Sequence, residues 1–254
     1  MKLTLYHFFS VFLYLIPFTI LSQNQGIVYY KAEFIQTMSD RMKDIEKSRP
    51  FLYKKSVETD EKIAFLFKDT EFILKFKDHE TTFKVTPTVA HDKDKFFPML
   101  LIMTGTDGVI YQNLKTKEYI KQQKGFGKTY LIKEEPLDWR IHNESKKIGK
   151  YMCYKATAEV INKAVIEEKI IWNTTVWFTP EIPVASGPRG YGGLPGLILE
   201  ANFNDFIHFF VTKLDLSPKK EVKIKKPVKG ISISEEEFIE LDRKAMGNFK
   251  SMKD

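Results

Sequence analysis

A single cysteine, Cys153, stands in a chain of 254 residues. No intrachain disulfide and no multi-cysteine zinc cluster can be built from it, so packing must hold the fold together. Histidine is nearly as scarce. His79, His91, His142 and His208 are those beyond the amino-terminal segment, and none stands in a two-histidine helical motif that would seat zinc. His208 alternates with Phe206 and Phe210 and reads as a hydrogen-bonded core histidine, whereas His91, beside Asp92-Lys93-Asp94-Lys95, reads as solvated. There is no Gly-x-Ser-x-Gly elbow. Acidic pairs such as Glu134-Glu135 and Glu167-Glu168 are adjacent, which on a strand sends the carboxylates to opposite faces. Cys153 has no histidine or second cysteine beside it and reads as a buried strand residue rather than a reactive thiol. No segment repeats at a fixed period.

The rest of the composition is ordinary. Hydrophobic residues make up 43% and charged residues 29%, which excludes disordered, collagenous and polytopic membrane classes. The charge of +7 is modest, and seven lysines of the 213–230 stretch (213, 219, 220, 223, 225, 226, 229) carry much of it. Pro218 and Pro227 make that stretch a semi-extended connector, suited to an anionic surface or to a solvated sheet edge. Nothing in it suggests nucleic-acid binding.

The amino terminus has the order of a secretory signal: Lys2, an apolar run from Phe8 to Ile20, then Leu21-Ser22 before polar Gln23-Asn24. Cleavage is expected between Ser22 and Gln23. A retained anchor over residues 3–21 is the alternative, near the spanning minimum. Removal takes one lysine and no acid, so the charge falls from +7 to +6.

Beyond residue 22 the chain reads mostly as strands. Val28, Tyr30, Ala32 and Phe34 alternate with polar residues. A helix is expected over 37–49, capped by Thr37 or Ser39 and stopped by Pro50. Ile63, Phe65 and Phe67 alternate as a strand, Asp69-Thr70 turns, and Phe72, Leu74 and Phe76 return. Further strands are expected at 81–86, 99–104, 109–113, 117–122, 128–133, 152–160, 170–178, 197–201 and 206–214. Ser234 and Glu237 form a capping box ahead of a helix over 234–250 whose apolar face should dock on the sheet. The fold class expected is therefore α+β, mainly β. It is one domain over 23–254, an antiparallel sheet, sandwich or open barrel covered by helices at 37–49 and 234–250, which a family resemblance over residues 151–200 narrows to a curved, half-barrel-like sheet.

The most informative stretch is 187–196, Gly-Pro-Arg-Gly-Tyr-Gly-Gly-Leu-Pro-Gly, which holds five of the 13 glycines. It is no phosphate cradle: Pro195 stands where a third glycine belongs, no Lys-Ser or Lys-Thr follows, and the segment feeds a strand. Pro180 and Pro183 end the preceding strand and set a bend. Trp177 and Phe178 lie on opposite faces of that strand. Arg189 and Tyr191 are the loop's long side chains and would make its contacts.

Gly193-Leu194-Pro195-Gly196-Leu197-Ile198 resembles the hexapeptide of the GLPGLI family, exported proteins of the Bacteroidetes. Tyr154-Lys155-Ala156-Thr157, Trp177-Phe178-Thr179-Pro180-Glu181-Ile182-Pro183 and Gly187-Pro188 resemble its upstream blocks in the same order. The resemblance covers residues 151–200. It implies export and an antiparallel sheet like the half-barrels of periplasmic lipoprotein carriers. It implies no catalytic residue, because the family's role is unestablished.

The expectation is thus a non-enzymatic envelope or periplasmic protein, without cofactor or metal, that binds a lipid, another apolar ligand or an envelope component. Trp177, Arg189, Tyr191 and Leu194 are the candidate binding residues. The alternatives are a module docking on an outer-membrane receptor through the loop and lysine run, and an uncharacterised hydrolase.

Overall fold

The computed structural model describes residues 25–86, 88–162 and 170–251. The segment read as a signal, with Ser22 and Gln23, and the Glu167-Glu168 pair lie outside the described residues. Among the described residues no helix is long and apolar enough to cross a membrane.

The fold is mostly β. The described strands form one open sheet in the order β12-β6-β5-β4-β3-β2-β1-β11-β10-β9-β8-β7. In chain order the strands are β1 (Gln25–Phe34), β2 (Phe72–Lys77), β3 (Glu80–Val85), β4 (Gly108–Asn113), β5 (Glu118–Gly125) and β6 (Lys128–Lys133). Then come β7 (Arg140–Ile148), β8 (Tyr151–Asn162), β9 (Ile170–Thr179), β10 (Leu197–Phe203), β11 (Ile207–Asp215) and β12 (Ile231–Ser234). Neighbours are antiparallel except β12, which runs parallel to β6.

The connection from β6 to β7 shows that this sheet must curl. The two strands are ten strand spacings apart in the order, roughly 48 Å if the sheet were flat. The chain from Lys133 to Arg140 reaches at most about 25 Å. The concave face so formed holds the core. Val28, Tyr30 and Ala32 of β1 point into it beside Phe72, Leu74, Phe76, Phe83 and Phe209, all buried. Tyr30 meets Phe83 edge-on at 6.0 Å, and Phe72 meets Phe209 at 5.1 Å.

The helices correct three expectations. Residues 37–49 are not one helix. α1 (Met38–Arg41) is a single turn under a Thr37–Asp40 capping box, followed by a 3-10 turn at Lys43–Ile45. Pro50 does not stop a helix; it stands in the first turn of α2 (Pro50–Asp69), where its missing N–H costs nothing. The stretch 63–67 belongs to α2 and is not a strand. Ile63, Leu66 and Phe67 are buried at helical spacing, while Phe65 is 63% exposed. Phe67 packs edge-on against Phe34 of β1 at 5.2 Å. The third correction is 99–104, which is helical, within α4 (Phe97–Thr104). A continuous apolar run carries no period to separate helix from strand. Gly105 closes α4 at φ +65°, and the Gly105 and Thr106 N–H groups bond back to the Ile102 and Leu101 carbonyls at 3.0 and 2.8 Å.

A short α3 (Val89–Lys93) precedes α4. The carboxy-terminal α5 (Glu235–Ser251) has the expected cap: Ser234 N–H donates to Glu237 Oε2 at 2.9 Å, and Glu237 N–H donates to Ser234 Oγ at 3.1 Å. Phe238 docks on Phe126 and Tyr130 at ring distances of 5.8 and 5.3 Å.

Candidate functional site

The segment 180–196 leaves β9 and returns to its neighbour β10 after crossing the concave face. Its neck is closed by the Leu197 N–H donating to the Ile182 carbonyl at 3.0 Å and the Ile198 N–H to the Ser186 carbonyl at 3.1 Å. Its far side is fastened to β3 and β4. Ser186 Oγ donates to Gln112 Oε1 at 2.8 Å, Thr81 Oγ1 donates to the same oxygen at 3.1 Å, and Gln112 Nε2 donates to the Gly190 carbonyl. Trp139 Nε1 donates to the Gly192 carbonyl at 2.8 Å, and the Tyr30 hydroxyl donates to the Ile198 carbonyl at 2.7 Å. Close approach requires glycine at several positions of the segment, Gly187 and Gly196 among them. A Cβ at Gly187 would stand 2.6 Å from that of Ile198, and one at Gly196 would overlap the Thr179 carbonyl. Pro188, Leu194, Leu197 and Ile198 are buried beside them, while Pro183 and Pro195 face solvent.

The loop's long side chains point inward. Tyr191 and Leu194 are 8% and 2% exposed. Arg189 takes a left-handed backbone, φ +59°. Its guanidinium lies 3.7 Å over the Phe203 ring, 5.6 Å from the Tyr191 ring, and against Gly105 at the end of α4. Its Nη1 is covered by protein and has no acceptor.

Two cavities meet at this point. One, of about 360 Å³, is lined by Met38, Met42, Ile102, Met103 and Phe206, with Arg41 and Asn204. The other, of about 440 Å³, takes Glu134 and Glu135 from the β6–β7 connection, Glu159 from β8, Glu235 from α5, Tyr191 from the loop and Lys121 from β5. Trp172, Arg189 and Phe203 line both. The partition is therefore one layer of side chains, with Trp172 edge-on to Phe203 at 5.2 Å. The result is a cleft with one apolar end and one acidic end.

Burial pushes the Glu134 carboxyl up to about 7; nearby Lys121 and Arg189 oppose the shift, and Glu235 and Asp107 add to it. Lys121 is held by Asp107 at 2.5 Å. The adjacent acids do not diverge as a strand pair would. The strand ends at Lys133, so Glu134 and Glu135 both reach the same cavity. Sequence reasoning missed Glu134, Glu135, Glu159 and Trp172 as site residues. Pro136 after two acids is the one local hint that a strand has ended there.

Trp177 is not brought to this site. It lies on the opposite, convex face, with Lys146 Nζ 4.5 Å from its ring centre, while Phe178 enters the core. His208 is on that convex face as well and is not a core residue. The residues turned inward there are Ile207 and Phe209. His208 Nδ1 is 3.2 Å from Glu33 Oε1 and its Nε2 is 3.7 Å from Glu200 Oε2. Hydrogen bonding to Glu200 and then Glu33 raises the imidazole above its ordinary value, and His208 with Lys146 lowers Glu200. His91 is not solvated: it is 2% exposed, stacked on Phe97 at 4.3 Å, and its Nδ1 accepts the Thr88 N–H at 3.2 Å.

Cys153 is buried, and its thiol is pushed up to about 11, chiefly by burial. The lysine run straps one end of the sheet. Lys226 pairs with Glu118 at 2.7 Å, Glu221 with Lys77 at 2.5 Å, and Lys219, Lys220, Lys223, Lys225 and Lys229 are exposed. No group of three or more histidine, cysteine or carboxylate residues among those described is arranged to hold a metal ion.

Residues 162–200 match a family model described as "Protein of unknown function (Porph_ging)", a short segment that ends with the glycine–proline loop and the start of β10. No curated protein is similar in sequence. Two solved structures of PNGF-II, in P21 and C2 space groups, are similar over 86% and 87% of this chain at 14% and 16% identity, each with a TM-score of 0.49. This chain spans 33% and 32% of those proteins.

Proposed function

We propose that the chain is an exported envelope protein without catalysis of its own, which holds a small amphipathic ligand in the cleft beside the glycine–proline loop. One observation carries the reading: an apolar cavity and an acidic one share the wall formed by Trp172, Arg189 and Phe203. A chain-like apolar group fits the first and its polar end the second. The order of residues 1–25 supports export, and the match over 162–200 falls on the stretch that carries the GLPGLI resemblance. The curled sheet supports likeness to the half-barrels of periplasmic lipoprotein carriers. The exposed lysines of the strap suit an anionic envelope surface. Native mass spectrometry tests the reading on residues 23–254, purified without detergent from the envelope of an exporting host. A reproducible extra mass, lost on denaturation and extracted by organic solvent, is the expected result. A bare chain at its calculated mass would overturn tight carriage.

The convergence of Glu134, Glu135 and Glu159 on one cavity favours a second reading, an acid–base hydrolase. A carboxyl pushed up to about 7, with two further carboxylates lining the same cavity, is a make-up suited to general acid–base work. Incubation with envelope extract separates the two. Carriage returns the ligand unaltered, whereas hydrolysis gives a product that Glu134→Gln abolishes.

A further inference from the structure

We propose that the end of the sheet beneath the lysine strap is a docking face for an anionic bilayer surface, with the strap's groove receiving headgroup phosphates. The proposal rests on the envelope part of the proposed function and not on the cleft. The strap crosses the ends of β11, β1 and β2 and is fixed there. Val222 is buried, its N–H donates to Gln25 Oε1 at 3.0 Å, and Glu221 holds Lys77 at 2.5 Å. A groove of about 930 Å³ opens between the strap and the strands. Its charged lining is Lys75, Lys219, Lys220 and Lys223 against Asp215 and Glu221. Glu221 is engaged by Lys77, so four cations face one carboxylate, and exposed Lys225 follows on the same strap. The fold makes no ion pair with this surplus among the described residues, and a surface of phosphates would neutralise it. The position of this end supplies the second argument. Gln25 begins β1 there, opposite Lys77. The apolar run ending at Ile20 lies five residues earlier in the sequence, a reach of at most about 18 Å. On the export reading that run enters the bilayer, so the strap's end is the part of the fold that meets the headgroups.

Vesicle flotation tests this on residues 23–254, with phosphatidylcholine vesicles that contain either no charged lipid or about 30% phosphatidylglycerol. Binding should need the anionic lipid and should weaken steeply as salt rises from about 0.1 to about 0.5 M. Inorganic phosphate at matched ionic strength should release no more protein than chloride does. The quadruple variant Lys219→Gln, Lys220→Gln, Lys223→Gln, Lys225→Gln alters only exposed side chains and spares the Val222 and Glu221 anchors. It should bind the anionic vesicles about ten-fold less well or worse. A control, Lys43→Gln, Lys47→Gln, Lys54→Gln, Lys62→Gln, removes the same charge from exposed positions in the α1–α2 region and should lose about two-fold or less. If a variant fails to fold, the lipid and salt dependence of the unaltered chain decides. No flotation with the anionic lipid, equal binding to uncharged vesicles, or equal losses in the two variants would overturn the docking face. Release by phosphate alone would overturn it too and give the groove to a free anion. None of these results touches the extra mass sought by native mass spectrometry, so the docking face and the cleft stand or fall separately.

Discussion

At the scale of single residues, the convex-face cluster of Glu33, His208, Glu200 and Lys146 makes stability depend on pH in a definite direction. The folded pKa of His208 is raised, so its contribution is fully present below the ordinary histidine value and is lost as pH rises through the raised one. The folded pKa of Glu200 is lowered, so its contribution is present above the ordinary glutamate value and is lost as pH falls through the lowered one. Thermal unfolding of His208→Asn should show its largest deficit below the ordinary histidine value, at about pH 6, and a much smaller one at about pH 9. A deficit that grows with pH would reverse the assignment. The glycines differ among themselves in a way denaturant unfolding can read. Gly187→Ala and Gly196→Ala force backbone or core atoms apart and should each cost about 2 kcal/mol or more. Gly193→Ala, at φ +91° with its nearest neighbour 3.8 Å away, should cost only about 1 kcal/mol. Composition marks this loop as one of close approaches. It cannot mark the face of His208, because Phe206 and Phe210 on one parity and Ile207 and Phe209 on the other are both apolar. Alternation has no sign there.

At the scale of elements, the strands are legible wherever one face is polar. β1 alternates as written, and β2 and β3 follow it. α2 is not, because Ile63, Phe65 and Phe67 satisfy a period of two while Ile63, Leu66 and Phe67 satisfy the helical one. The twenty-residue length of α2 and its charged remainder decide for the helix. Substitution exposes the choice: Phe67→Ala should cost about 3–5 kcal/mol in urea unfolding, and Phe65→Ala within about 0.5 kcal/mol of nothing. Equal losses would mean a strand-like burial. Pro50 misleads for a related reason, since proline both follows helices and opens them. The capping box of α5 is readable because its signal is local. Ser234→Ala should cost about 1 kcal/mol and speed amide exchange in the first turns of α5 more than in the sheet.

At the scale of the whole molecule, topology assembles the cleft and no local pattern announces it. Glu134 follows β6, Glu159 lies near the end of β8, Trp172 near the start of β9, and Glu235 opens α5. They meet because a short connection draws two distant parts of the sheet together and α5 lies over the gap. Truncation after Ser234 should leave the sheet folded, with a loss of about 1–3 kcal/mol from uncovering Tyr130, yet reduce several-fold the share of chain that carries an extra mass. Circular dichroism and native mass spectrometry of the same sample check both. A truncated chain that keeps full affinity would remove α5 from the site.

The pairing of β1 has a consequence for how the chain comes to be folded at all. Ile27 faces Asp215 and Phe34 faces Ile207, so the first strand lies inside the sheet with the eleventh beside it. One flank of β1 finds β2 early. The other keeps its amides and carbonyls unpaired until residues 207–215 have emerged. For all of that interval the nascent chain presents a sticky ladder to its neighbours. Completing the sheet is a late, long-range and slow event, and a cell that makes this protein must shield that ladder until β11 arrives.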